Sequence, residues 1–146
     1  MTKWNPFEQS PLPVNVFLTL YKTNHQLVQQ LEEQLVKYDL TLGRWCVLVA
    51  LKSSEREMVP SEISDDLAVT RANISNLLNA LEKAGRIRRD FDPSNRRRIL
   101  VSLTPEGHEL IEQVWPVYEQ TITENVGNKL TLEEQHQLEK LLEKLV

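Results

Sequence analysis

Three consecutive arginines, Arg96 to Arg98, stand in the stretch DFDPSNRRRILV, which occupies residues 90–101. A guanidinium group stays charged and presents its N–H donors in a planar fork, so it suits phosphate oxygens and the acceptor edges of bases. The chain has a formal net charge of −4, so the cluster does not reflect a generally basic composition. Arginines on a hairpin tip can enter the narrow minor groove of A·T-rich DNA, where the negative potential is strong. The cluster therefore predicts a nucleic-acid contact.

Positive charge is concentrated in the middle of the chain. Residues 71–98 carry eight Lys/Arg and three Asp/Glu, residues 1–70 carry six and nine, and residues 104–146 carry three and nine. A basic segment between two acidic arms is typical of a nucleic-acid contact surface. A solvated charged face would give the same counts, so charge alone leaves both interpretations open.

A second group of polar residues falls on one side of a helix predicted to follow Thr70. Its members are Arg71, Asn73, Ser75, Asn76, Asn79 and Lys83. Asn and Ser are poor residues for a helix interior, so helix stability does not explain them. Asn can bind adenine through two hydrogen bonds in the major groove, and Ser or Thr can contact bases or phosphates. We expect the Asn and Ser side chains to read bases and Arg71 and Lys83 to contact phosphates, and Thr70 belongs to the same DNA-facing set. A tolerated polar surface is the alternative.

The spacing of apolar residues predicts the elements that would position this group. Thr70 is placed to cap the helix, and Val69 and Ile74 are placed to form a hydrophobic staple. Gly85 fits the left-handed position that follows a helix end. The buried side of the helix would consist of Ile74, Leu77, Leu78 and Leu81. A short helix precedes it, and two short helices joined by a turn predict a helix-turn-helix.

A β-hairpin is predicted after the helix-turn-helix. Residues alternate as in strands in IRRDF (87–91) and in ILVSL (99–103). Between them Pro93 stands at a favourable turn position, and Asn95 tolerates a left-handed conformation. The tip of the hairpin would then be SNRRR, residues 94–98.

Amphipathic helices are predicted on both sides of this unit. One covers residues 14–38, one begins at Thr104 and runs to about Val126 with Pro116 inside it, and the last starts at a capping box formed by Thr131 and Glu134. Between the first helix and the helix-turn-helix, a further helix begins near residue 41. It is apolar on nearly all sides over residues 45–51, which predicts a central, buried position.

The order of elements predicts a mainly α fold with a small β-hairpin wing. We expect a single domain over residues 1–146, with a winged-helix lobe at about 41–103 and dimerisation helices at about 14–38 and 104–146. The end helices carry apolar stripes with little else to cover them, so burial against a second copy is the simplest solution. Closure of the end helices on each other within one chain is the alternative.

Composition excludes several other classes of protein. The longest apolar run covers residues 45–51, far short of the roughly 18 residues that a membrane span needs. The N-terminal sequence MTKWNPFEQSPLPV has prolines and a glutamate where a signal peptide would need an apolar core. Cys46 is the single cysteine, so no intrachain disulfide can form, which fits a reducing compartment. These features predict a cytoplasmic protein without a membrane partner.

Four stretches together resemble the MarR family of bacterial transcriptional regulators. They are LTLGRWCVLVAL, VTRANISNLLNALEKAGRIRR, DPSNRRRILVSLTPEG and the final amphipathic helices, and they cover roughly residues 14–146 in the family's order. The resemblance implies a homodimeric winged helix, usually a repressor, that binds a pseudo-palindromic operator in double-stranded DNA and is often released by a small molecule.

The resemblance also implies roles for particular residues. Residues 71–84 would form the recognition helix, Arg96 or Arg97 would enter the minor groove, and Asp92 and Asn95 would support the wing. The family often has an acidic residue where this chain has Asn95, and some members have an arginine where it has Ser94. Which arginine is inserted, and which braces Asp92, is therefore left open.

A ligand pocket between the dimerisation helices and the DNA-binding lobe is a further implication of the resemblance. It would receive a small aromatic or anionic effector. The candidate lining residues are Phe17, Tyr21, Arg44, Trp45 and Trp115. Aromatic residues at helical spacing are also typical of a packed core, so core packing is the alternative interpretation.

Neither catalysis nor a cofactor is predicted. The four glycines form no phosphate-binding loop, and the three histidines lie on separate predicted helices with no nucleophile placed beside them by any motif. His108 and Glu112 have the spacing of a zinc pair, but no Cys or His cluster accompanies them, so no metal site is expected. Cys46 lies in an apolar helix, where a thiol is usually inert.

Two other functions remain open at this point. The winged helix could serve as a protein–protein interaction module, in which case binding to DNA would be weak and without sequence preference. Alternatively, a DNA-binding regulator could respond to zinc or to oxidation instead of an organic ligand.

Overall fold

The structure is a computed structural model that describes residues 10–67 and 70–146. These residues form six α-helices and one antiparallel hairpin. The helices are α1 (Leu12–Leu35, followed by a 3-10 turn over Val36–Tyr38), α2 (Leu42–Ser54), α3 (Pro60–Leu67), α4 (Arg71–Lys83), α5 (Pro105–Ile122, followed by a π-helical segment over Thr123–Gly127) and α6 (Leu132–Glu143). The strands are β1 (Ile87–Asp92) and β2 (Asn95–Leu103). The predicted mainly α fold with a winged helix-turn-helix is confirmed.

Four helices begin at a threonine whose hydroxyl oxygen accepts a hydrogen bond from the backbone N–H three residues later. These caps are Thr41, Thr70, Thr104 and Thr131. The capping box of α6 is confirmed, because the carboxylate of Glu134 also accepts from the Thr131 N–H at 2.9 Å. Gly85 follows α4 with φ of 77°, as predicted. The staple that involves Val69 lies outside the described residues.

The hydrophobic core is built around α2. This helix packs against α1, α3, α4, α5 and β2. Its residues Trp45, Val47 and Leu48 are fully buried, which confirms the predicted central position. Within the described chain, the indole N–H of Trp45 has no hydrogen-bond partner. Because α2 packs against both α4 and β2, it fixes the helix and the hairpin relative to each other.

The hairpin differs from the prediction at its tip. Only Pro93 and Ser94 form the turn, and β2 already begins at Asn95. Asp92 pairs with Asn95 and Phe91 with Ile99, so residues 96–98 are extra residues that bulge from β2. The predicted strands 87–91 and 99–103 are confirmed as the regular ladder, and residues 94–98 lie at its outer end as predicted, but they complete a two-residue turn and form a bulge of β2.

A short bridge at the base of the hairpin was not predicted. Met58 pairs with Val101 through two backbone hydrogen bonds, of 3.0 and 2.7 Å. Val101 is fully buried and Met58 nearly so. The segment before α3 thus holds the wing against the lobe.

The predicted long helix after the hairpin ends earlier than expected. It runs to Ile122 and continues as the π-helical segment instead of an α-helix to Val126. Side chains bind main-chain carbonyls here: the Thr121 hydroxyl donates to Val117 O at 2.7 Å, and the Asn125 amide donates to Thr121 O at 2.8 Å. Such bonds compete with the regular helical pattern.

The two ends of the chain expose apolar side chains. The exposed residues of the first half of α1 include Leu12, Val16, Phe17, Leu20 and Tyr21, and those of α6 include Leu138, Leu141 and Leu142. No residue of α6 is buried. Among the described helices, none combines the length and hydropathy that a bilayer crossing requires.

Candidate nucleic-acid interface

Helix α4 separates its side chains cleanly into a buried and an exposed face. Ile74, Leu78 and Leu81 are buried against the core, and Leu77, the fourth predicted member of this face, is half-buried. The predicted DNA-facing residues are all exposed: Thr70, Arg71, Asn73, Ser75, Asn76, Asn79 and Lys83. The buried leucines therefore fix the rotation of the helix and hold its polar face toward solvent.

Arg89 ties this helix to the wing. Its guanidinium donates to both the Glu82 carboxylate, at 2.7 Å from Nη2 to Oε1, and the Asn79 side-chain oxygen, at 2.7 Å. Nε of Arg89 also donates to Glu82, and its backbone N–H donates to the second carboxylate oxygen at 3.2 Å. Hydrogen bonds from Arg89 thus lower the pKa of Glu82. This network fixes the position of β1 relative to the last turns of α4.

The network also orients the Asn79 amide. Because its carbonyl oxygen accepts from Arg89, its NH₂ group points away from that bond and is available as a donor. A bidentate contact to adenine needs both the amide oxygen and the NH₂ group. The Asn79 oxygen keeps a second lone pair, so the bond from Arg89 restricts the orientation of this amide, whereas Asn73 and Asn76 carry no such bond among the described residues.

The turn of the wing is shaped by short side chains. The Asp92 carboxylate accepts from the Ser94 N–H at 2.9 Å and from the Ser94 hydroxyl at 2.7 Å, and these bonds lower the pKa of Asp92. The Asn95 side-chain oxygen accepts from the Arg97 N–H at 3.1 Å. Both residues expected to support the wing therefore act on its backbone.

The three wing arginines are not equivalent. Arg98 lies 3.9 Å from Asp92, measured from Nε to Oδ2, and its charge also helps to lower the pKa of Glu62. Arg96 and Arg97 are exposed and form no ion pair with any residue that the structure describes. Arg98 thus lies near a carboxylate of the wing itself, while Arg96 and Arg97 lie near none among the described residues.

A second ion pair supports the segment beneath the wing. Arg56 binds the Glu62 carboxylate at 2.6 Å, and Glu62 also accepts from the Val59 N–H at 3.1 Å. The hydrogen bond from Arg56 and the bond from Val59 lower the pKa of Glu62 to about 2. This carboxylate therefore joins the loop before α3 to the first turn of that helix.

Sequence reasoning did not identify Glu82, Arg89, Arg56 or Glu62 as part of this arrangement. A signal was present for Arg89, because it shares a strand face with the core residue Ile87 and so requires a partner. For Arg56 and Glu62 no pattern marks the pair, since their contact depends on the path of the loop.

The candidate effector residues are distributed over two regions. Phe17 and Tyr21 stack at 6.5 Å between ring centroids on the exposed half of α1. Trp45 is fully buried and lies 6.2 Å from Trp115, again between centroids. Trp115 lines an open groove of about 460 Å³ between α2 and α5, together with Val49, Lys52, Ser53, Ile111, Glu112 and Pro116. Arg44 contacts the Asp39 carbonyl oxygen at 3.4 Å.

The structure also shows the surroundings of His108, which was considered for zinc binding, and of Cys46, which was considered for oxidation. His108 Nδ1 lies 3.5 Å from Lys52 Nζ. Across residues 10–67 and 70–146, no group of three or more His, Cys, Asp or Glu side chains is arranged to hold a metal ion. Cys46 is half-buried, and burial raises the pKa of its thiol, which disfavours the reactive thiolate.

Comparison with known proteins agrees with this geometry. Residues 44–122 match the family model described as a winged helix DNA-binding domain. The chain is 31% identical over 126 residues to the HTH-type transcriptional regulator PapX of Escherichia coli, an alignment that covers 86% of this chain and 76% of PapX. It is 33% identical over 100 residues to the transcriptional repressor MprA of Escherichia coli K12, covering 68% of this chain and 56% of MprA.

A solved structure matches the whole architecture. A mutant of MarR from Escherichia coli, in complex with operator DNA, superposes with a TM-score of 0.85 at 26% identity and covers 98% of this chain and 99% of that one. The relatives are DNA-binding regulators and not enzymes. The helix-turn-helix, the wing and these similarities together show that the chain belongs to the MarR family of winged-helix transcriptional regulators.

Proposed function

We propose that the protein is a homodimeric, sequence-specific repressor that binds a pseudo-palindromic operator and is released by a small-molecule effector. One observation carries this proposal: the exposed polar face of α4 and the exposed arginines of the wing are joined by Arg89, so that both belong to one rigid surface. Such a surface suits a helix in the major groove and a wing in the flanking minor groove.

The proposed role of each residue on this surface follows from the hydrogen-bonding groups and charges that its side chain presents to solvent. Asn73, Ser75, Asn76 and Asn79 contact bases, and Arg89 fixes the orientation of the Asn79 amide. Thr70, Arg71 and Lys83 contact phosphates at the two ends of α4. Arg96 or Arg97 enters the minor groove, and Arg98 braces Asp92.

A dimer accounts for the exposed apolar faces of the end helices. Each copy has such faces on the first half of α1 and on α6, and a two-fold interface would bury both sets at once. Two recognition helices would then lie roughly 34 Å apart, one turn of DNA, on one side of the duplex.

An effector would act by favouring one spacing of these helices. The groove lined by Trp115 lies between α2, which belongs to the lobe, and α5, which continues along the chain toward α6. A ligand that prefers a dimer with another helix spacing lowers operator affinity by its differential affinity for the two forms. The word repressor in the name of the relative MprA supports negative regulation. As a DNA-binding regulator, the protein would act in the cytoplasm.

Selection of bound duplexes from a random DNA pool at about 150 mM salt tests the proposal. We expect enrichment of a two-fold-symmetric site of roughly 15–20 base pairs with half-sites one turn apart. If no sequence is enriched and retention disappears with modest salt, the basic surface lacks specificity and the protein-interaction alternative gains support.

Variants assign the contacts on the selected operator. Asn76→Ala should reduce the preference for one base position by roughly 1–3 kcal/mol. Arg97→Ala should weaken binding to every sequence, most of all to sites with an A·T-rich minor groove beside the half-site, and should make the slope of log K against log salt shallower by about 0.9 for each phosphate that the variant no longer neutralises. Lys140→Ala on α6 removes the same charge away from the surface and should change neither. Adding zinc, chelator, peroxide or dithiothreitol tests the other triggers.

A further inference from the structure

An apolar pair on the wing has no partner in the fold. Phe91 and Ile99 stand directly opposite each other in the antiparallel ladder, and their exposed fractions are 69% and 38%. The pairs nearer the body are covered, since Ile87 and Val101 are fully buried. A large aromatic side chain therefore projects into solvent near the outer end of the hairpin, with Asp92 between it and the turn.

The strand geometry shows which side of the wing carries this pair. Alternate residues of a strand share a face, and the register is regular from Ile87 to Phe91. Phe91 thus shares a face with Arg89, whose guanidinium contacts Glu82 and Asn79 on α4. The aromatic ring lies on the side of the recognition helix, and α4 leaves it uncovered.

The other neighbours of the pair are positively charged. Residues 96–98 bulge from β2 between the partners of Phe91 and Asp92, and Arg96 and Arg97 are exposed. The apolar pair is therefore flanked by the polar face of α4 on one side and by free guanidinium groups on the other. A surface that presents cations beside an apolar ring suits DNA, where phosphates border the apolar faces of the deoxyribose rings.

We infer that Phe91, supported by Ile99, packs against deoxyribose rings in the wall of the minor groove when the wing arginines engage DNA. This inference rests on the proposed function and adds an uncharged contact to the wing. Its free energy would come from removing apolar surface from water, and not from release of counterions. The two kinds of contact consequently differ in their response to salt.

The test measures binding of the selected operator duplex at several salt concentrations. Phe91→Ala should lower the affinity by about tenfold, the effect of removing a partly buried aromatic ring, and leave the salt slope unchanged. Phe91→Leu should keep most of the affinity. Arg97→Ala is the contrasting variant, because it should lower both the affinity and the slope.

Each other outcome decides against the inference. Unchanged affinity in Phe91→Ala would show that the ring contacts nothing in the complex. A loss of affinity with a shallower slope would show that Phe91 acts only by positioning the arginines. If the wild-type protein retains no duplex preferentially, the proposed function itself fails, and the inference falls with it.

An aromatic and a β-branched residue paired across strands also stabilise a hairpin, so Phe91→Ala could lower the affinity by weakening the wing. A direct observation of Phe91 in the complex separates this effect from a lost contact with DNA. Protein labelled with 4-fluorophenylalanine gives a ¹⁹F signal for Phe91 that the Phe91→Leu variant assigns. The signal should shift when operator is added and remain in place with a poly-glutamate control. An unshifted Phe91 signal in the operator complex would overturn the inference.

Discussion

The winged-helix lobe buries its apolar side chains within the chain, together with the second half of α1 and the start of α5, whereas the first half of α1 and all of α6 leave theirs uncovered. Trp45, Leu48 and Val101 are fully buried, whereas Leu141 on α6 remains 59% exposed. The same amphipathic pattern thus leads to a complete core in one region and to an uncovered face in the other. The lobe is stabilised by its own contacts, while the end helices depend on a second copy in the proposed dimer.

The largest difference between the two regions is expected when charged residues are placed on the apolar face of α6, in the proposed dimer interface. Leu138→Asp combined with Leu142→Asp places two carboxylates on the apolar face of α6. We expect the dissociation constant of the dimer to rise roughly a hundredfold or more, since each leucine contributes apolar burial on both copies. Sedimentation equilibrium measures the change, and operator affinity should fall with it.

The matched control is His136→Asp combined with Lys140→Asp, which has the same spacing on the opposite side of the helix. It should leave the dimer intact. If the leucine variant also remains dimeric, the exposed face of α6 has another role and the end helices do not form the interface.

Gly107 in the first turn of α5 and Gly127 at the end of the π-helical segment give the next largest contrast. A Cβ atom added at Gly107 would overlap the carbonyl oxygen of Arg86, whereas at Gly127 it would meet only the methyl group of Thr123 at 3.5 Å. Gly107→Ala should therefore lower the free energy of unfolding by about 2–3 kcal/mol, as overpacking does. Gly127→Ala should be nearly neutral. Urea denaturation at one fixed protein concentration compares them, and equal effects would contradict the comparison.

The difference between the regions also explains how much could be read from the sequence. Caps and apolar spacing are local, so Thr41, Thr70, Thr104 and Thr131 were placed correctly. The strands 87–91 and 99–103 were also placed correctly, but the bulge of residues 96–98 was not predicted, because a simple hairpin tip and a two-residue turn with a bulge share the same turn residues. The choice depends on pairing across the strands, which periodicity does not report.

Contacts between distant segments were the hardest to foresee in the candidate site. The bond of Arg89 to Asn79 and the bridge between Met58 and Val101 join elements whose packing sets the distance. The exposed polar side chains of α4 were all identified, since a helix with one apolar face leaves the other to solvent.

A threonine cap should contribute more to the free energy of unfolding where it is buried, at Thr104, than where it is exposed, at Thr131. The Thr104 hydroxyl is buried; it accepts from the Gly107 N–H at 3.0 Å and donates to Gly85 O at 2.7 Å. Thr131 caps α6 in an exposed position. Thr104→Ala should cost about 2 kcal/mol of unfolding free energy, because it leaves a carbonyl oxygen without its partner as well as removing the cap.

For the exposed cap, Thr131→Ala should cost about 1 kcal/mol or less. Thermal unfolding of the two variants at one protein concentration measures the difference. A larger loss for Thr131 would mean that α6 contributes more to global stability than its lack of buried residues indicates.

The smallest effect concerns the ion pair beneath the wing and is visible only in acid. The pKa of Glu62 is about 2 in the folded chain against an ordinary value of 4.5. Between these values the unfolded chain binds more protons, so the stabilisation by Glu62 is present above about pH 4.5 and is lost as the pH falls toward 2. Glu62→Gln should therefore reduce the decline of unfolding free energy over this window, as measured by urea denaturation at successive pH values.

Arg56→Gln removes the same hydrogen bond from the other side and should reduce the decline in the same window, because Arg56 is the main cause of the lowered pKa. If the two variants keep the wild-type pH dependence, the acid sensitivity lies elsewhere, and the loop before α3 is held by the Met58 bridge without help from this carboxylate.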